Sequence, residues 1–219
     1  MLLLNSTIPY ADKHLVLVFG VGLLGNAILQ SLVNHGQYTI ESLPFNWTDP
    51  EQQLLDAEVI SNKISNILDH RNDEYNNPLT RISFVWSAGK GGFLSTEAVM
   101  KQELKSYIRV LDMFDELEKV HTDISFNFHL VSSAGGMHEG VKFVDDIKAI
   151  NPCRPYGMLK QEQERVLKRD RTRDSYTIYR PASVYGYVGN EGRLGLVPTL
   201  FYNCHFNKVT TIYGNINTL

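Results

Sequence analysis

Cysteine is scarce in this chain: Cys153 and Cys204 are the two among 219 residues, with neither metal-ligand spacing nor the density of a disulfide scaffold. That excludes a disulfide-stapled secreted domain and fits a reducing compartment, with the cytoplasm as the expected location. Charge of one sign is also missing. Lys plus Arg (21) nearly balances Asp plus Glu (24), which leaves no basic field for nucleic acid and no charged tail. No long hydrophobic run is present either: the apolar start Met1 to Leu4 is broken by Asn5, Pro9, Asp12 and Lys13, so neither a membrane span nor a targeting segment is expected. Internal repeats and low-complexity linkers are absent as well. What remains is a chain with 43% hydrophobic residues, long enough for a full core, whose expected partner is a small molecule.

Apolar runs of strand length alternate with segments of helical period. Leu15-Val16-Leu17-Val18-Phe19 is continuously apolar and is expected to be the first strand, covered on both faces. A helix follows on Leu24, Ala27, Ile28 and Leu32, with Gly36 placed for a left-handed stop. A second strand is expected within Tyr38 to Phe45, and Asp49-Pro50-Glu51-Gln52 reads as an N-cap, a first-turn proline and a capping-box partner. That helix runs to about Leu68, with Ala57, Ile60, Ile64 and Ile67 on one face. Asn76-Asn77-Pro78 marks a loop before the strand Ile82 to Trp86. A long helix from about Thr96 to Val120 carries Met100, Leu104, Tyr107, Leu111 and Phe114, and Ile108 and Val110 widen its apolar surface. Phe126 to Leu130 is another strand, Tyr156 to Arg169 another helix, and Tyr176 to Tyr179 a further strand. This alternation predicts an α/β fold with a doubly wound parallel sheet of Rossmann type, helices on both faces, and a ligand at the carboxyl ends of the strands.

Four motifs fall at those ends. In Gly20-Val21-Gly22-Leu23-Leu24-Gly25, Gly20 permits a tight turn, Gly22 lets backbone approach a pyrophosphate, and Gly25 lets helix and strand pack closely. The plain alternative is a glycine turn with no ligand. Glu41 lies at about the right distance to read a ribose hydroxyl but falls inside the expected strand, so NAD and NADP both stand. Tyr156 and Lys160 are four apart and share a helix face, where an ammonium beside a phenol favours the phenolate and makes the tyrosine a usable acid or base. A solvated face on which the two coincide is the alternative. Ser132 and Ser133 sit where a hydroxyl can orient a substrate oxygen, or where it simply caps a Ser/Gly loop. The fourth motif is Arg180-Pro181-Ala182-Ser183-Val184-Tyr185-Gly186.

In this order and spacing the four motifs resemble the extended short-chain dehydrogenase/reductase family, in its nucleotide-sugar epimerase and dehydratase branch. The resemblance covers about Leu15 to Gly214 and includes Trp86-Ser87-Ala88-Gly89, which is similar to the family's segment along the cofactor. It implies that the glycine motif, with Leu23 and Leu24, and Ala88 and Gly89 bind NAD or NADP. It further implies that Tyr156 is the catalytic acid or base, that Lys160 binds the nicotinamide ribose, and that Pro181, Ala182, Ser183 and Val184 lie against the nicotinamide. The implied activity is hydride transfer to or from a nucleotide sugar, by an epimerase, dehydratase or reductase, with surface-polysaccharide synthesis as a setting by analogy. A homodimer through a four-helix bundle is implied by the helices from Thr96 and Tyr156. No metal is implied.

Three departures accompany the resemblance. Ala134 stands where the family commonly has a third hydroxyl residue, so that Ser133, or Ser132, would take the role. Tyr38 to Trp47 is short for the family's adenosine-binding region. The chain reaches Leu219 soon after Ile212-Tyr213-Gly214, so residues 1–186 are expected to form the dinucleotide-binding domain and 187–219 the start of a largely missing substrate lobe, with Arg193, Pro198 and Phe201 in partial contact with substrate. Two other readings follow from these departures: an NAD(P)-binding module without turnover, and a carbonyl reductase for small aldehydes or ketones.

Overall fold

The computed structural model describes residues 1–6, 13–35, 38–69, 79–89, 91–92, 95–141, 150, 152–169, 171–182, 184–186 and 196–210. Gly36, Asn76-Asn77-Pro78, Ser183, Arg193 and Ile212-Tyr213-Gly214 lie outside the described residues. Among the described residues, six strands form one sheet: β1 (Leu2–Ser6), β2 (Lys13–Phe19), β3 (Tyr38–Ser42), β4 (Leu79–Trp86), β5 (Ser125–Val131) and β6 (Tyr176–Tyr179). Their order is β3-β1-β2-β4-β5-β6. From β2 through β6 the pairing is parallel.

The expected sheet is corrected at one end. Leu15 to Phe19 is not the first strand, and the sheet is mostly rather than wholly parallel, because β1 inserts antiparallel to both β2 and β3. Leu2 pairs with Val18 on one side and Ser42 on the other, so the backbone groups of this short apolar segment are satisfied along both edges. Leu3 and Leu4 enter the core on opposite faces of the sheet.

The helices are α1 (Leu23–His35), α2 (Pro50–Asp69), α3 (Glu97–Val120), α4 (Ala134–Met137), α5 (Pro155–Arg169) and α6 (Leu196–His205). On one face, Leu15, Leu17, Phe19, Phe84, Trp86 and Phe128 pack with Ile60 and Ile64 of α2, Phe114 of α3 and Leu167 of α5. On the other, Val16, Val18 and Val85 meet Leu29 of α1. This two-sided burial explains why β2 reads as an unbroken apolar run. Aromatic rings set the first core: Phe84 and Phe114 meet edge to face at 5.2 Å, as do Trp86 and Tyr107. Such pairs add about 0.5–1.5 kcal/mol each beyond area burial.

The helix starts show local chemistry at work. Asp49 Oδ1 accepts from the backbone N–H of Glu51 and Gln52, capping α2. The capping box does not form: the Asp49 N–H donates to Asn46 Oδ1, and the Gln52 side chain donates forward to Asp56. Pro155 opens α5, where a missing N–H costs nothing. No helix among the described residues is long and apolar enough to cross a membrane.

Candidate active site

The turn after β2 is built on close contact. Gly20 has φ +92°, and a Cβ there would lie 2.3 Å from Ala88 Cα. A Cβ on Gly25 would lie 1.9 Å from the Gly20 carbonyl oxygen, so α1 sits directly on the turn. Gly22 differs: a Cβ there would meet nothing within 4 Å, since it faces open space. The Ser87 hydroxyl donates to the Gly20 carbonyl at 2.7 Å and clasps the ends of β2 and β4 together.

Two cavities run along these strand ends. The first, about 460 Å³, is bordered by Gly20, Gly22, Trp47, Thr48, Ala88, Gly89, Gln102 and Glu103. The second, about 330 Å³, is bordered by Leu24, Ala88, Gly89, Ser132, Ser133, Tyr156, Lys160, Pro181, Ala182 and Val184. Both are bordered by Ser87, Ala88 and Gly89, the segment after β4, which places the glycine-turn cavity next to the one at Tyr156. Of the expected site residues, Leu23 and Gly25 border neither cavity: Gly25 supports the turn from below, and Leu23 lies against Gly186. Glu41 is also away from the cleft, exposed on β3 and paired with Lys63 of α2.

Tyr156 stands in the first turn of α5, half-buried, with its ring over Gly136 of α4. A Cβ on Gly136 would be 2.9 Å from two ring carbons, and one on Gly157 would be 2.1 Å from the Gly136 carbonyl oxygen. This pair of glycines therefore lets α4 and α5 touch and fixes the ring. One turn on, the Lys160 Nζ lies 5.9 Å from the Tyr156 ring centroid. Lys160 is only 4% exposed; it donates to Gln163 Oε1 at 3.1 Å and Val131 O at 3.4 Å, and pairs with Glu103 at 3.9 Å. Burial pushes its pKa below that of an ordinary lysine, and the Glu103 carboxylate opposes the shift.

The two serines have different surroundings. Buried Ser132 donates to Glu164 Oε1 at 2.7 Å. Glu164 also accepts from Arg180 Nε at 2.7 Å and Lys168 Nζ at 3.0 Å. Burial alone would raise its pKa, but hydrogen bonds from Arg180, Ser132 and Lys168 hold it below the usual glutamate value. Ser133 Oγ accepts from the Gly136 N–H at 3.1 Å as the N-cap of α4, which uses a lone pair and leaves its own hydrogen for another acceptor. Backbone bonds from Ser132 N to Tyr179 O (2.8 Å) and from Ala134 N to Pro181 O (3.0 Å) zip the end of β5 to the segment after β6. Pro181, Ala182 and Val184 reach the cleft by this route.

Glu103, Glu164 and the Trp47–Thr48 wall went unread in the sequence. The signal for Glu164 was its spacing, four beyond Lys160 and eight beyond Tyr156 on one helix. Glu103 lies on the Met100–Tyr107 side of α3, at positions that read as core packing. Among the described residues, no three His, Cys, Asp or Glu side chains gather as a metal site requires.

A glycine-turn cleft across the carboxyl ends of a mostly parallel sheet defines a Rossmann-type dinucleotide-binding protein. The chain belongs to the NAD dependent epimerase/dehydratase family, whose model matches residues 16–219. The family's cofactor is NAD, and the site fits it: Gly20 and Gly25 shape the turn, and Gly22, facing open space, leaves room for a pyrophosphate. No curated protein matches the chain by sequence at a significant level. Among solved structures the chain is similar to a UDP-glucose 4-epimerase (18% identity, TM-score 0.57, covering 90% of this chain and 61% of that one). It is also similar to the Bordetella bronchiseptica enzyme WbmG in complex with NAD and UDP (14%, 0.58, 89% and 60%). A third is an epimerase candidate from Burkholderia cenocepacia J2315 (22%, 0.58, 95% and 65%). At these identities the likeness is one of fold, and the chain spans about three fifths of the lengths it matches.

Proposed function

We propose that this chain carries the cofactor half of an NAD-dependent enzyme that transfers a hydride to or from a carbon of a nucleotide sugar, as an epimerase, dehydratase or reductase. The observation that carries the reading is the pair of neighbouring cavities, sharing Ser87, Ala88 and Gly89, that hold Gly22 in one and Tyr156 and Lys160 in the other. NAD would be held along Gly20, Gly22, Ala88 and Gly89 and would supply the hydride acceptor for a sugar carbon whose hydroxyl becomes a carbonyl. Tyr156 takes the hydroxyl proton as base and returns it as acid, and the Lys160 ammonium stabilises the phenolate. Ser133, whose hydrogen is free to donate, orients the sugar oxygen, while Ser132 holds the strand ends through Glu164. Nucleotide-sugar specificity is supported by the family and by the UDP in WbmG.

Residues 1–186 are assigned to cofactor binding and 187–219 to the start of a substrate lobe, whose helix α6 exposes Phe201 and Tyr202. A homodimer through α3 and α5 follows the family pattern; those two helices pack side by side. Exposed thiols at Cys153 and Cys204 support a cytoplasmic setting. A cofactor-binding module without turnover is the second reading, favoured by the lack of a hydroxyl at Ala134 and by Ser132 being committed to Glu164.

The test is calorimetric titration with NAD, followed by a UDP-sugar panel in which conversion of the sugar is read by chromatography, because a recycled cofactor leaves no lasting change in nicotinamide absorbance. Tyr156→Phe should bind NAD as the parent does and lose turnover by about a hundredfold or more. NAD binding without conversion of any sugar in the panel would select the module instead.

A further inference from the structure

We propose that Glu103 is a positioning residue of this site: from α3 it pairs with Lys160 and keeps the lysine ammonium charged and in place where the two cavities meet. The inference rests on the reading of Lys160 as the partner of Tyr156.

Lys160 is buried, and its hydrogen-bond acceptors Gln163 Oε1 and Val131 O are both neutral. Neutral acceptors satisfy the N–H groups but supply no counter-charge, so burial by itself favours release of the proton. Glu103, with its Oε1 at 3.9 Å, supplies that charge. Among the described residues, the other ionisable groups near the pair are engaged elsewhere or neutral. On α5, Glu162 pairs with Arg165, and Glu164, one turn beyond Lys160, is engaged by Arg180, Lys168 and Ser132. Tyr107 of α3 donates to the Gln163 carbonyl, and burial pushes its pKa far above the usual phenol value, so it stays neutral.

The chain is folded to receive this carboxylate. After β4 the backbone passes so close to Glu103 that a Cβ on Gly89 would lie 3.0 Å from Oε1, and one on Gly91 would lie 3.4 Å from Oε2. The Gly91 N–H points at Oε2 at 3.4 Å. Gly89 and the Gly91 amide thus border this side chain, while the Cβ space at Gly91 is taken by Met100 at 2.4 Å. Glu103 borders the cavity at the glycine turn and Lys160 the cavity at Tyr156, so their contact ties the charge of the tyrosine site to the other half of the cleft. A lysine that lost its proton here would no longer favour the Tyr156 phenolate, which makes Glu103 a control on the acid/base chemistry without its touching the substrate.

The experiment follows Lys160 directly in the full chain without cofactor, by carbon-13 labelling of the lysine ε-methylenes, with the resonance assigned by its loss in Lys160→Met. In Glu103→Gln, a near isostere, the Lys160 titration midpoint should fall by about one pH unit or more relative to the parent. Glu103→Asp, which keeps the carboxylate, should restore at least half of that shift. An unchanged midpoint in folded Glu103→Gln overturns the proposal. If Glu103→Gln does not fold, Lys160→Met gives the reciprocal reading: the Glu103 carboxyl, followed by labelled glutamate, should titrate at higher pH once the ammonium is gone, and no movement overturns the proposal. NAD titration in parallel separates the two ideas. Failure to bind NAD would remove the proposed function and leave the lysine result standing; an unmoved lysine midpoint with NAD bound does the reverse.

Discussion

Replacing the glycines of the turn one at a time should separate folding from binding. Gly20→Ala places a side chain at φ +92°, which costs about 1–2 kcal/mol for an L-residue. The new Cβ would also fall 2.3 Å from Ala88 Cα, a backbone atom that cannot rotate away, and overpacking of this kind costs about 1–3 kcal/mol. The expected loss is about 2–5 kcal/mol, a large share of the 5–15 kcal/mol typical of a domain. Gly22→Ala meets nothing within 4 Å and needs no left-handed backbone. Its stability should stay within about 0.5 kcal/mol or rise slightly, because alanine restricts the unfolded chain. In the cleft, however, the methyl group occupies the approach of the pyrophosphate. A clash of about 1–3 kcal/mol there weakens NAD about 5- to 150-fold. Urea melts and NAD titrations on both variants form the assay. Gly22→Ala with parental NAD affinity, or Gly20→Ala with parental stability, would refute the reasoning.

The serines should separate in a similar way. Ser132→Ala leaves a buried carboxylate one hydrogen bond short and should cost about 1.5–3 kcal/mol in a urea melt, with turnover reduced less than in Ser133→Ala. Ser133→Ala removes the cap of α4, worth about 0.5–2 kcal/mol, and should also lower kcat on a UDP-sugar substrate by about a hundredfold. Equal kcat for the two variants would sink that assignment. His14 gives a pH prediction. Burial, followed by the charges of Arg81 and His129, lowers its pKa from 6.5 to about 4. The unfolded chain therefore takes up this proton before the folded one does, so the stability contributed by neutral His14 is complete above about pH 6.5 and is lost as pH falls toward 4. His14→Gln, which can still meet Ser83, should flatten stability across that window; an unaltered pH slope would show that other groups set it.

Much of the cleft was legible because it depends on local chemistry. The glycine turn needs particular residues at Gly20 and Gly25 whatever surrounds it, and a spacing of four on a helix puts Tyr156 and Lys160 on one face in any fold. Strand runs such as Leu15 to Phe19 declare their burial through composition alone. The roles of Ser132 and Ser133 were not legible, since their positions in the chain are equivalent and only the approach of α5 gives one of them to Glu164.

By itself, then, the sequence determined the alternation of strands and helices, the glycine turn and the tyrosine–lysine face, because each follows from periodicity or backbone sterics within a few residues. The tertiary structure decided that Leu2–Ser6 would join the sheet antiparallel between β2 and β3, since a run of three leucines carries no record of which edges it will pair with. It also decided that Glu103 would face Lys160, 57 positions away in the chain. Contacts of that kind are fixed by how α3 and α5 pack against the shared sheet, and no local pattern encodes them.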